Sequence, residues 1–119
     1  MSEAQSVTDG AGTQSAADLT AFQQNILTIL SEEPMYGLAI KRELEAYYGA
    51  EVNHGRLYPN LDDLVASGLV EKSELDKRTN QYELTDAGHD TVLEQLEWVL
   101  DRFATDEARV EEIRALLTE

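Results

Sequence analysis

Apolar residues recur at helical spacing along most of this 119-residue chain, but the period breaks between residues 69 and 84 and then resumes. Few folds accommodate that order. Leu19, Phe22, Ile26, Leu27, Ile29 and Leu30 fall at helical intervals, and Pro34 marks the end of that segment, because the residue before a proline is disfavoured in the α region. A second helix is expected from Tyr36 to Tyr48, burying Leu38, Ile40, Leu44 and Tyr47, with Gly49 as its stop. Asn53 is a good N-cap for a third, whose apolar residues Leu57, Leu61, Leu64 and Val65 share a face and which Gly68 ends.

The break itself consists of two short segments, Leu69 to Leu75 and Gln81 to Leu84, around the polar run Asp76-Lys77-Arg78-Thr79-Asn80. That pattern predicts a β-hairpin with a charged tip. Thr85 then caps a long helix, with Asp86 favourably near its positive end and an apolar stripe of Val92, Leu93, Leu96, Val99, Leu100 and Phe103. A last short helix carries Val110, Ile113, Leu116 and Leu117. The expected fold is mainly α with a small β-hairpin: a winged helix-turn-helix plus C-terminal dimerisation helices. Residues 1–18, small and polar without apolar period, read as a flexible N-terminal tail; 19–84 form the winged helix-turn-helix and 85–119 the dimerisation region.

Several function classes drop out. The chain has no cysteine, which removes disulfides, thiolate nucleophiles and thiol redox switches. The two histidines, His54 and His89, lie far apart, so no metal and no cofactor are expected. There is no Gly-rich phosphate loop and no nucleophile elbow, and acidic pairs such as Glu32-Glu33 and Asp62-Asp63 point different ways on a helix, so the chain does not read as an enzyme. No apolar run reaches the roughly 18 residues of a membrane span; a cytoplasmic protein without membrane contact is expected.

Charge is the outlier. Against 24 Asp and Glu stand 9 Lys and Arg, a net charge of −15, yet six of those nine bases lie between residues 36 and 84. A local exception to a general acid excess marks a candidate site. Lys41 sits on the second helix, Arg56 in the first turn of the third, and Lys77 and Arg78 at the hairpin tip, so three elements bring bases toward one surface. In a winged helix-turn-helix that surface is the one that meets double-stranded DNA, the third helix in the major groove and the hairpin by the flanking backbone. Arg56 is the leading candidate for a base or phosphate contact; Asn53 is a cap first, with His54 and Asn60 as further polar candidates. Close carboxylates near the third helix call for bound monovalent cations between protein and phosphates.

Four segments resemble the PadR-type transcriptional regulators: Pro34-Met35-Tyr36-Gly37-Leu38-Ala39-Ile40, Gly55-Arg56-Leu57-Tyr58-Pro59-Asn60-Leu61, Gly68-Leu69-Val70 and Tyr82-Glu83-Leu84-Thr85-Asp86-Ala87-Gly88. The resemblance covers roughly residues 20–105, and its acidity is similar to that of members from halophilic archaea. It implies a homodimeric, sequence-specific regulator on an inverted-repeat operator, working in high salt, with a role in oxidative-stress response. It also implies a phosphate contact through the Tyr58 hydroxyl. The expected dimer contact is Val92, Leu96, Trp98, Val99 and Phe103 on the long helix; Trp98 is read as packing there, although relatives hold planar ligands between such tryptophans, and the small-molecule effector stays open. The rival reading is a winged-helix module that binds protein rather than DNA.

Overall fold

The computed structural model describes residues 15–76 and 79–118, so residues 1–14 of the expected 1–18 tail and the hairpin-tip residues Lys77 and Arg78 lie outside the described residues. Helix α1 (Ala21–Leu30) begins at a reciprocal cap: Thr20 accepts from the Gln23 N–H at 3.1 Å, and the Gln23 side chain accepts from the Thr20 N–H. Strand β1 (Met35–Tyr36) leads directly into α2 (Gly37–Tyr48), which stops at Gly49 with φ of 69°, a left-handed conformation that favours glycine. Helix α3 (His54–Ala66) starts at Asn53, whose side chain accepts from the Arg56 N–H at 2.9 Å.

The hairpin is β2 (Val70–Asp76) and β3 (Thr79–Leu84), with an irregularity between Glu74 and Asp76. Strand β1 adds to the other edge of β3, pairing Met35 with Tyr82 and Tyr36 with Gln81, so the sheet has three antiparallel strands in the order β1-β3-β2. Two residues carry too little alternation to announce a strand, and the sequence pattern does not reveal β1. Helices α4 (Asp86–Phe103) and α5 (Glu107–Leu117) complete the chain.

One core holds the first part together. Phe22, Ile26 and Leu27 from α1, Ile40 and Leu44 from α2, Leu57, Leu61 and Leu64 from α3, and Val70 and Tyr82 from the sheet are all buried in it. Helix α4 contributes only the partly buried Ala87 and Val92. Two residues expected in the core are outside it: Leu38 is 49% exposed and Tyr47 73% exposed. Leu38 lies about 200° round the helix from Ile40. Tyr47 is in the last turn, where the neighbouring Tyr48 takes the place against Phe22 of α1, and the Tyr47 ring meets Tyr48 edge-on at 5.3 Å. The end of the expected tail is also corrected: Ala16–Asp18 form a 3-10 turn whose Ala16 N–H donates to the Glu94 carboxylate on α4 at 2.9 Å, while Gln24 Nε2 donates to the Ala16 carbonyl at 2.9 Å.

The join between the core and α4 is tight. Thr85 caps α4 by accepting from the Gly88 N–H at 3.0 Å, donates its own hydroxyl to the Gly68 carbonyl at 2.7 Å, and donates its N–H to the Leu69 carbonyl at 3.1 Å. This draws the first turn of α4 onto the backbone of Leu69. A Cβ on Gly88 would stand 2.2 Å from the Leu69 carbonyl oxygen and 2.7 Å from Leu84 Cδ1. Backbone cannot yield as a side-chain tip does, so Gly88→Ala should lower unfolding stability by about 3 kcal/mol through overpacking, read as a fall in the urea midpoint. A midpoint within error of the native chain would mean that this junction is loose.

Candidate nucleic-acid interface

The turn between α2 and α3 is fixed by one carboxylate. Glu45 accepts from Lys41 Nζ at 2.9 Å and from the Val52 N–H at 3.0 Å, joining the last turns of α2 to the residue before the α3 cap. The Val52 N–H, then the Lys41 ammonium, hold the Glu45 carboxyl below its usual range. Lys41, expected to face DNA, is thereby committed to the turn, with only 19% of its side chain exposed.

Helix α3 presents its first two turns in a set pose. Asn60 is tied within the protein: its Nδ2 donates to the Arg56 carbonyl at 2.8 Å and its Oδ1 accepts from Gln23 Nε2 at 3.1 Å, joining α3 to α1. The Arg56 guanidinium lies 4.0 Å over the Phe22 ring and 5.9 Å from that of Tyr48, whose hydroxyl accepts from Asn25. Stacking leaves the edges of a guanidinium open to acceptors. On the opposite flank, the His54 and Tyr58 rings stack at 5.6 Å, and Tyr58 leans on the start of α2, where a Cβ on Gly37 would come within 2.6 Å of its hydroxyl.

Between these flanks runs the most exposed stripe of α3, formed by Gly55, Pro59, Asp62, Asp63 and Ala66. Its N-terminal half is small and smooth. Pro59 has no N–H, so the Gly55 carbonyl four residues back has no helical donor. The C-terminal half is acidic, and Lys72 on β2 comes within 3.9 Å of Asp62. The structure therefore gathers His54, Arg56 and Tyr58 at one helix end, assigns Asn53, Asn60 and Lys41 to holding that end in place, and does not describe Lys77 and Arg78. Sequence reasoning missed the groove beside Tyr58, a 510 Å³ space lined by Tyr36, Gly37, Leu38, Tyr58, Thr79, Asn80 and Tyr82. Its only sequence signal is the run Tyr36-Gly37-Leu38, a helix start without a capping side chain.

On α4, Leu96, Trp98, Val99 and Phe103 are exposed, and Val92 is partly buried. Leu96, Val99 and Val92 line a 360 Å³ cavity against Leu27 of α1, whereas Trp98 lies on another flank, over Ala16 and Ala17, with Arg102 5.1 Å above its ring. Among the described residues no group of three or more His, Asp or Glu is placed to hold a metal, and no helix is long and apolar enough to cross a membrane.

Three helices, a hairpin closed by a short third strand, and a long following helix define a winged helix-turn-helix protein. The PadR-like transcriptional regulator family matches residues 26–94, and the chain belongs to that family, whose members are regulators and not enzymes. RosR of Halobacterium salinarum, in the complex designated RosR-S1, is similar at 67% identity with a TM-score of 0.85, over 87% of this chain and 92% of its own. RosR crystallised from NaBr gives the same identity and TM-score, over 87% of this chain and 94% of its own. PadR of Bacillus subtilis, solved with operator DNA, shares the fold at 23% identity and a TM-score of 0.57, over 65% of this chain and 47% of its own. Comparison with curated proteins gives no match.

Glu45 offers a direct test of how the turn is held. A carboxylate held below the ordinary 4.5 favours folding when ionised. That contribution is complete at neutral pH and is lost as pH falls through the lowered value. Glu45→Gln should therefore be less stable at pH 7, and its melting temperature should depend less on pH below 4.5 than that of the native chain. Parallel melting curves across that range would show that Glu45 does not bridge the turn.

Proposed function

We propose that the chain is a homodimeric, sequence-specific DNA-binding transcription regulator, acting in the cytoplasm and adapted to high salt. The observation that carries this reading is the pose of the α3 N-terminus. His54, Arg56 and Tyr58 flank a small, exposed stripe while Asn53 and Asn60 are spent on holding it rigid. A helix end so presented is what the major groove admits, and the hairpin beside it reaches the flanking backbone. Membership of a regulator family and the 67% identity to RosR support it. The oxidant-response role that the resemblance implies cannot run through a thiol, because the chain has no cysteine.

The dimer rests on α4. Leu93, Leu96, Val99 and Phe103 are all exposed on one helix, and clustered exposed apolar side chains mark an interaction surface. Covered by a second copy, it sets two α3 helices about 34 Å apart, or a multiple of that, on an inverted repeat. Charged residues in place of Leu96 and Val99 should give folded monomers that no longer retain operator DNA; monomers binding as tightly as the native chain would break the link between pairing and recognition.

Salt separates the DNA reading from a protein-binding module. Most DNA-binding proteins release cations and weaken as salt rises. Here Asp62 and Asp63 sit exposed on the stripe that faces the groove, in a chain of net charge −15. Bound monovalent cations between these carboxylates and the phosphates would leave cation release near zero. Affinity for its own promoter should stay flat or rise between ~0.5 and ~3 M KCl, against the steep fall of counterion release. Asp62→Asn with Asp63→Asn should strengthen binding at the lower salt. A steep fall in the native chain sinks the cation model, and no retention on DNA at any salt returns the chain to the protein-binding class.

A further inference from the structure

The groove between α2 and the wing contains a polar group that the fold itself leaves unused. Tyr82, in the middle of β3, is 1% exposed, and its hydroxyl has no hydrogen-bond partner among the described residues. A buried hydroxyl without a partner is costly and calls for a reason. Tyr82 lines the 510 Å³ groove together with Tyr58, whose hydroxyl rests against Gly37 at the start of α2. That helix end has no capping side chain: its N-cap is Tyr36, and the first-turn N–H groups have no acceptor within the helix, as at the start of every α-helix. Thr79 and Asn80 at the start of β3 form the opposite wall.

We propose that this groove seats one phosphodiester group of the duplex backbone, with the Tyr82 hydroxyl at its base and the α2 N-terminus and Tyr58 beside it. The proposal rests on the DNA-binding reading above and names a binding residue that reading does not use. Every lining donor is neutral: three phenols, a hydroxyl, an amide and backbone N–H groups. A helix N-terminus attracts an anion through its dipole and free donors without a full charge. In this chain that matters, because Lys41 is taken by Glu45 and Lys72 stands by Asp62. Neutral donors also displace no ions when they bind, so their contribution survives high salt. Burial first, and then the neighbouring Asp62 carboxylate and Tyr58, raise the Tyr82 pKa, which keeps it a donor.

The probe is the promoter duplex bound by the full-length chain, with Tyr82→Phe as the variant, which keeps the ring in the core and removes only the hydroxyl. Affinity should fall about tenfold for each site that touches DNA, as for a lost hydrogen bond to a charged group. The slope of affinity against salt should not change, because no ion is released at this site. The melting temperature should hold or rise. In duplexes with single neutral methylphosphonates, one backbone position should weaken the native chain and leave Tyr82→Phe unaffected. Equal affinity of variant and native chain overturns the proposal, and so does a loss of affinity that merely tracks a lower melting temperature. If inorganic phosphate binds the native chain but not Tyr82→Phe and yet, replacing chloride at constant ionic strength, leaves the affinity of the native chain for DNA unchanged, the groove takes a free anion and the duplex assignment falls. Failure of the native chain to bind any duplex would instead overturn the parent reading, and this site with it.

Discussion

The contact on which the rest of the molecule hangs is the one between the first turn of α4 and the backbone of Leu69. Three elements meet there: the end of α3 through Gly68, the entry to the wing through Leu69, and α4 through Thr85 and Gly88. Gly68, with φ of 81°, turns the chain out of α3 so that its carbonyl can receive the Thr85 hydroxyl. Gly88 then lets α4 press onto Leu69 without an intervening Cβ. Because interiors are close-packed, such a joint transmits position: tilting α4 must move the root of the wing and the end of α3 together.

A second constraint is the scarcity of positive charge. Most of the described bases are occupied inside the chain. Lys41 pairs with Glu45 and Arg114 with Glu111; Lys72 lies by Asp62; Arg56, Arg102 and Arg109 lie over Phe22, Trp98 and Phe103. Stacking on an aromatic ring fixes a guanidinium without neutralising it, so Arg56 is held in place and still charged. Lys41 is different, since its ion pair uses the charge itself. Recognition of a polyanion by such a surface must lean on helix ends, hydroxyls and DNA shape more than on cationic side chains.

What could be read from the sequence was whatever local chemistry decides. The caps Asn53 and Thr85 bond to N–H groups three residues on, so their roles follow from position alone. The α3 core stripe of Leu57, Leu61 and Leu64 follows from helical period, and the hairpin from the break in that period. What stayed hidden depends on partners distant in sequence. Arg56 meets Phe22, 34 positions away, and Asn60 meets Gln23, 37 positions away. Ala16 meets Glu94 across 78 positions, which turns the end of an apparent tail into part of the fold. The two-residue strand β1 belongs here too, since only its pairing with β3 makes it a strand.

That Ala16–Glu94 bond completes the argument about α4. One contact at Gly88 would fix where the helix begins but leave its direction free. Glu94 lies six residues further on, about 9 Å along the axis at 1.5 Å per residue, and there it accepts from the Ala16 N–H of the 3-10 turn before α1, while Gln24 of α1 holds the same turn from below. Two separated contacts define a line. The direction of α4 is thus set against α1 and α3 within one chain, before any partner is met. Residues beyond Gln95 project past the last of these contacts with an apolar face in water, so a partner docking on them inherits the direction that the core has already imposed. In the two-fold pair proposed above, that direction would fix how far apart the two α3 helices stand, so the spacing of half-sites would depend on the Gly88 and Glu94 contacts as much as on the contact between the copies.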